Sequence, residues 1–245
     1  MALIEQIEKE NLPKHIAITM DGNGRWAEQK GEFRVFGHQN GVKAVRETVE
    51  TAAEIGIKYL TLYAFSTENW KRSEKEVNAL MTLLISTINK ETETLMENDI
   101  CLHAIGNLQQ LPNKCKQELE QAMEKTKNNK RMTLILALSY SGRWEIVNAI
   151  NSILEERKNN LPTEITEETF QQYLNTKSVP DPELLIRTSG EKRISNFLLW
   201  QIAYTELYFA DTLWPDFRKK DLISAIIDYQ KRERRFGKSG EQIKN

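Results

Sequence analysis

His15-Ile16-Ala17-Ile18-Thr19-Met20-Asp21-Gly22-Asn23-Gly24-Arg25-Trp26 runs from an apolar stretch straight into a polar, glycine-rich turn. The first half lacks a clean polar/apolar alternation, as expected of a strand covered on both faces. The second half cannot continue it, because two glycines and an Asp favour a turn. Similar β-rich runs recur at Tyr59–Ser66, Ile100–Asn107, Met132–Tyr140, Leu184–Thr188 and Glu206–Phe209. Segments of helical period lie between them, near Gln39–Ile55, Glu74–Asn98, Asn113–Lys127, Trp144–Arg157, Glu167–Leu174 and Lys219–Arg235. This alternation predicts an α/β fold: one domain over 1–245, core about 15–237, with a central six-stranded, mostly parallel sheet flanked by helices.

Composition narrows the function. A chain of 245 residues hides about 73% of its extended surface on folding, so a core without disulfides is feasible. Lys plus Arg number 34 and Asp plus Glu 35, a net charge of −1. That balance argues against nucleic acid, and any bound anion must be met by a local cluster. Cys101 and Cys115 have no metal-ligand spacing and read as reduced thiols. The first ten residues carry acids where a signal peptide needs an apolar stretch, and no apolar run approaches the roughly 18 residues of a spanning helix. A soluble, cytoplasmic protein is expected.

In a parallel sheet, ligands gather beyond the carboxyl ends of the strands. After the first strand come Asp21, Gly22, Asn23, Gly24 and Arg25; after the second, Thr67 to Arg72; after the fifth, Arg187 and then Thr188 to Arg193. All three ends describe an anion site. The glycines let backbone N–H groups approach phosphate oxygens, and a helix starting there would add a favourable field. Arginine forks suit diphosphate. Asp21 would repel phosphate unless a divalent cation lay between them, and carboxylate plus phosphate is the ligand set of Mg²⁺. The same composition also fits a glycine-rich turn with an Asp cap.

Other features stay open between two readings. Val77, Leu80, Met81, Leu84, Ile85 and Ile88 form a helical stripe behind a Ser73/Glu76 capping-box pattern, suited to core packing or to the wall of a hydrocarbon tunnel. Glu206 is either an outward-facing strand residue or a metal-side carboxylate. Trp26 and Trp70 stand inside polar motifs, whereas Trp144, Trp200 and Trp214 read as core or rim. His15, His38 and His103 lack metal-ligand spacing. The stretch from Arg218 to Lys238 holds eight basic and three acidic residues, a solvated helix face or an attraction to an anionic membrane or partner subunit.

Taken together, these motifs resemble the cis-prenyltransferase family. The resemblance is carried by residues 15–27, by Ala64-Phe65-Ser66-Thr67-Glu68-Asn69-Trp70-Lys71-Arg72, by residues 181–197, and by Glu206–Phe209 and Trp214–Phe217. It covers the chain from about His15 to Gly237. One departure is Ser139-Tyr140-Ser141-Gly142-Arg143, where the family more often has Asn before the Tyr and Gly after it; this segment reads as lying away from the anion motifs.

The resemblance implies a homodimer with a long hydrophobic tunnel. It also implies an Mg²⁺-dependent reaction extending farnesyl diphosphate with isopentenyl diphosphate units to a long polyprenyl diphosphate of undecaprenyl length, a lipid-carrier precursor for cell-wall polysaccharide, with peripheral membrane contact for product release. Asp21 is then the metal and catalytic residue, with Glu206 on the metal side. Gly22, Asn23, Gly24, Arg25, Trp26, Arg34 and His38 form the allylic diphosphate pocket. Arg187, Arg193, Ile194 and Ser195 clamp isopentenyl diphosphate. Ser66, Thr67, Glu68, Asn69, Trp70 and Arg72 belong to a flexible segment closing over the substrates, with Asn69 a candidate proton relay alongside diphosphate or water. Two rivals are weaker: a non-catalytic subunit would lose Asp21 and its arginines, and a phosphatase would give the apolar stripe no role.

Overall fold

The computed structural model describes residues 3–157 and 164–234. Six strands form one sheet: β1 (His15–Thr19), β2 (Tyr59–Ser66), β3 (Ile100–Ile105), β4 (Met132–Tyr140), β5 (Leu184–Arg187) and β6 (Glu206–Phe209). Their order is β3-β4-β2-β1-β5-β6, and every pairing is parallel. Seven helices accompany them: α1 (Asn23–Glu28), α2 (Arg34–Ile55), α3 (Glu74–Glu97), α4 (Asn113–Thr126), α5 (Gly142–Arg157), α6 (Glu167–Gln171) and α7 (Lys219–Gln230).

β1 is buried along its whole length, as its apolar run predicts. Ile16 and Ile18 face one core with Leu60, Leu62 and Ile186, while Ala17 faces the other with Ile135, Ala137 and Leu185. Helices α2, α3, α4 and α7 cover the first face, and Phe197 and Leu198 pack on the second. The chain winds to one side of β1 through β2, β4 and β3, then to the other through β5 and β6. β1 is therefore the switch point of the sheet, and its carboxyl end opens a crevice between the ends of β2 and β5. Those are the three strand ends singled out from sequence.

Three boundaries differ from expectation. α2 begins at Arg34, not near Gln39, because Gly37 and Gly41 mask its first turns. A Cβ at Gly37 would lie 1.9 Å from the Asn23 carbonyl oxygen, so these glycines serve the close approach of α1 to α2. α1 starts inside the glycine-rich turn; with only six residues it adds little field for an anion. α7 ends at Gln230, and the end of the basic stretch, 235–238, lies outside the described residues.

Candidate active site

Asp21 leaves the end of β1, and Arg187 closes β5 beside it. Arg187 Nη2 donates to Asp21 Oδ2 at 2.8 Å, while Nη1 donates to the Arg193 carbonyl at 2.6 Å and to Ser195 Oγ at 2.7 Å. The Arg187 side chain is almost fully buried, so its fork is held in one orientation. The Gly22 N–H reaches Asp21 Oδ1 at 2.7 Å from a left-handed backbone (φ +106°) that glycine accepts without strain. Burial pushes the Asp21 carboxyl up, but Arg187, the Gly22 N–H and Arg25 together outweigh it and hold the group below the usual carboxylate range. Asp21 is ionised at neutral pH.

On the α2 side, His38 sits one turn after Arg34. Burial lowers its pKa to about 4, with Arg72 and Arg34 adding to the shift against Glu76, so the ring is neutral at pH 7. Among the described residues, His38 Nε2, Asn23 Oδ1, Thr19 Oγ1 and Arg187 Nε are buried without a hydrogen-bond partner. All four belong to residues lining one cavity. Unpaired buried polar atoms are costly, and their clustering at one cavity marks where a polar ligand completes the set.

The segment after β2 forms a short 3₁₀ turn, Thr67–Lys71. A register shift at Phe65 aims it across the crevice. Ser66 and Asn69 cap each other, with Asn69 Oδ1 accepting from the Ser66 N–H at 3.0 Å. The Asn69 carbonyl oxygen is thus engaged within the turn, and its amide NH₂ is left to donate. Thr67 bonds Ser141 Oγ at 2.9 Å, and Trp70 Nε1 donates to Ser139 Oγ at 2.9 Å. Ser139 and Ser141 therefore hold the second motif, contrary to the expectation that they lie away from the anion residues. Ser139 adopts φ +47°, as do other non-glycine residues in left-handed backbone beside Arg187, among them Ser195 and Asn196.

The cavity holds about 670 Å³ and runs from this polar mouth between α2, α3 and the sheet. Its walls include Val45, Leu62, Leu80, Met81, Leu84 and Ile88. Four members of the helical stripe therefore line the tunnel, Met81 and Ile88 among them also packing into the core, whereas Val77 and Ile85 serve the core alone.

Of the residues singled out from sequence, Asp21, Asn23, His38, Ser66, Glu68, Asn69, Arg72, Arg187 and Ser195 line the cavity. Gly22, Arg25 and Arg193 contact Asp21 or Arg187 without lining it, and Gly24, Arg34, Thr67 and Ile194 are not among its lining residues. Two tryptophans correct the sequence reading. Trp26 is buried against Phe36 (ring centroids 5.8 Å apart) under Lys30, and Trp70 packs edge-on against Phe65, so both brace the motifs instead of lining the cavity. Glu206 lies farther off in this chain. It opens β6, opposite Leu184, whereas Asp21 lies past the far end of β1 next to Arg187 and Phe209. Glu206 pairs with Arg232 at 2.9 Å, so within this chain it does not join Asp21.

Glu76 and Glu191 were missed as site residues. Glu76 pairs with Arg72 at 2.9 Å and with Arg34 at 3.7 Å; Glu191 pairs with Arg25 at 3.0 Å and also with Arg193. Each glutamate thus offsets the charge of two arginines. Glu191 stood in the quoted motif and could have been found there, whereas Glu76 was read only as a helix cap. Trp214, expected as ordinary core or rim, is buried, donates to the Gly41 carbonyl at 3.1 Å and lines the cavity.

No group of three or more His, Cys, Asp or Glu side chains suited to a metal occurs among the described residues. One half-buried, ionised carboxylate at an anion pocket nevertheless fits Mg²⁺, which takes few protein ligands and completes its shell with phosphate oxygens and water.

Residues 19–237 match the family model described as "Putative undecaprenyl diphosphate synthase". An isoprenyl transferase of Chlorobaculum tepidum is 53% identical over 235 residues, covering 95% of this chain and 89% of the relative. A ditrans,polycis-undecaprenyl-diphosphate synthase of Pasteurella multocida, named as (2E,6E)-farnesyl-diphosphate specific, is 52% identical over 238 residues, covering 96% and 99%. Among solved structures, lavandulyl diphosphate synthase from Lavandula x intermedia, in complex with dimethylallyl diphosphate, superposes with a TM-score of 0.90 at 39% identity, covering 94% and 100%. A probable undecaprenyl diphosphate synthase from Campylobacter jejuni gives 0.78 at 36%, covering 93% and 100%. A family model that spans most of the chain and relatives above 50% identity over nearly its whole length show that the chain belongs to the cis-prenyltransferase family of undecaprenyl diphosphate synthases.

Proposed function

We propose that this chain condenses isopentenyl diphosphate units onto farnesyl diphosphate, with cis geometry, to give a long polyprenyl diphosphate of undecaprenyl length, the lipid-carrier precursor for cell-wall polysaccharide. The observation that carries this reading is that one cavity joins a polar, arginine-bearing mouth to an apolar tunnel. The farnesyl specificity named for the Pasteurella relative supports the choice of primer.

In each round the allylic C–O bond breaks and diphosphate leaves with the electron pair. The isopentenyl double bond attacks the allylic carbon, and a proton is lost to diphosphate or water. Charge grows on the departing diphosphate, so donors already fixed there lower the barrier most. Asp21 would hold Mg²⁺, which supplies positive charge to the diphosphate oxygens. Gly22, Asn23, Arg25, Arg34 and His38 bind the allylic diphosphate; a neutral His38 donates one ring N–H without repelling its arginine neighbours. Arg187, with Arg193 and Ser195, positions isopentenyl diphosphate. Asn69 and Arg72 orient the pair from the β2 side. The tunnel removes the growing chain from water, which would quench an allylic cation.

A homodimer is proposed on the outer face of α5, where Val147, Ile150 and Leu154 are 56%, 45% and 52% exposed at helical spacing. We place the protein in the cytoplasm with peripheral membrane contact for product release. No helix among the described residues is long and apolar enough to cross a membrane, which agrees with that placement. The test is mass spectrometry of products from purified protein given Mg²⁺, farnesyl diphosphate and isopentenyl diphosphate, with and without EDTA. A Mg²⁺-dependent ladder ending at one long polyprenyl diphosphate is expected. No product from folded protein would reject the reading.

A further inference from the structure

Beyond the mouth, the largely apolar tunnel wall carries one ion pair that joins its two helices. Arg46 on α2 and Glu91 on α3 form a two-pronged ion pair, with Nε to Oε2 at 2.9 Å and Nη2 to Oε1 at 2.5 Å. Both residues line the cavity. The Glu91 side chain is 15% exposed and that of Arg46 43%, so the carboxylate is tucked inward and the guanidinium reaches in from outside. Arg46 follows His38 by eight residues on the same helix, about 12 Å farther from the mouth. Beyond the pair the outer wall stays polar: Glu50 lies one turn on along α2, and Thr94 and Asn98 continue along α3. The floor toward the sheet remains apolar, with Leu102 and Leu134.

This placement has a physical consequence. A hydrocarbon tail that pushes past the pair must strip water from two charges without replacing it, which is unfavourable. The two-pronged geometry also makes a strong, directional link between neighbouring helices, because two of the three guanidinium nitrogens are engaged by one carboxylate. The hydrogen bond and charge of Glu91, with Glu50 nearby, hold the Arg46 pKa above its ordinary value, so the guanidinium stays charged.

We propose that the Arg46–Glu91 clasp closes the distal seam between α2 and α3 and is a determinant of product length, the point at which a growing polyprenyl chain stops. The inference rests on the elongation reading above and adds a specificity-determining pair to it. Neither residue touches the diphosphate groups, so the first condensation should be indifferent to both.

The test compares products of the wild-type chain with three variants under the same Mg²⁺, farnesyl diphosphate and isopentenyl diphosphate. Replacing the pair by apolar residues of similar size (Arg46→Met with Glu91→Leu) extends the apolar wall. Its longest products should exceed those of the wild type by at least one isoprene unit, with the first-condensation rate within about threefold. Exchanging the charges (Arg46→Glu with Glu91→Arg) should restore the wild-type end point. Lys125→Ala, which removes a surface ion pair to Glu93 away from the tunnel, should change nothing. Hydrogen exchange over α2 and α3 checks that the seam has loosened in the apolar pair variant. An unchanged ladder in that variant overturns the proposal, and so does a charge-exchanged variant that behaves like the apolar one. If the wild type itself makes no product, the elongation reading falls, and the clasp proposal falls with it.

Discussion

The mouth of the cavity and its tunnel are built from opposite materials. The mouth places Asp21 and Arg187 at the ends of adjacent parallel strands, with buried polar atoms left unpaired and several serines and an asparagine in left-handed backbone. The tunnel is made of ordinary aliphatic side chains, and its inner residues are continuous with the core. Strain and unpaired polar atoms are costly, and where they gather at a cavity a ligand can repay them, whereas apolar walls need only shape. The difference teaches a division of labour: the mouth decides whether a bond forms, and the tunnel decides how many.

The largest effect should come from Asp21→Asn, which keeps the shape and removes the charge. Turnover should fall by about a thousandfold or more, with little change in the circular dichroism spectrum. Turnover within tenfold of wild type would take Asp21 out of the chemistry.

Acid should strike the fold more than the tunnel. His15 is held neutral by burial, its pKa lowered to about 4, with its ring bonded to Thr61 Oγ1 at 2.7 Å and to the Pro180 carbonyl at 2.6 Å. Because the folded value lies below the ordinary 6.5, this contribution is present above pH 6.5 and is lost as pH falls toward 4. It amounts to on the order of 3 kcal/mol. The urea midpoint should drop between pH 7 and 4.5, and His15→Gln should flatten that slope. A variant with the full wild-type slope would contradict the assignment.

Arg193→Ala should raise KM for isopentenyl diphosphate by about tenfold while leaving KM for the allylic substrate within twofold. An effect confined to the allylic side would reverse the roles of the two halves of the mouth. The smallest effect is expected at Ser139, which accepts from Trp70 and donates to Gln110 Oε1 at 2.8 Å. Ser139→Ala should cost about 1 kcal/mol of stability and shift the Trp70 emission. Asn tolerates the left-handed backbone found at Ser139, so Ser139→Asn should be at least as stable as the wild type.

The tunnel and the mouth were unequally legible in sequence. All six strands lie where their β-rich runs predicted, most plainly β1 and β5, which are buried throughout and have no solvent-facing positions to confuse the pattern. The convergence of three strand ends followed from the rule for parallel sheets, and β1 proved to be the switch point that rule requires. The stripe on α3 could not be assigned from sequence, since a tunnel wall and a core face use the same residues at the same spacing. The place of Glu206 was not legible, because its sequence neighbourhood shows an acid among aromatics but not the end of the strand on which it falls. Trp26 and Trp70 misled because an aromatic in a polar motif also serves as a brace, and only the packing distinguishes the two. The pairing of Glu76 and Glu191 with the arginines depends on contacts across the crevice that sequence spacing does not encode.

The division of labour is tested most directly by Ile88→Trp, which fills the tunnel midway along α3 without touching the mouth. Single-turnover kinetics would follow the first condensation while mass spectrometry reads the final product. The first rate should stay within about threefold of wild type, and the product ladder should end several isoprene units short. A ladder of wild-type length, or a first condensation lost together with the later ones, would contradict the account.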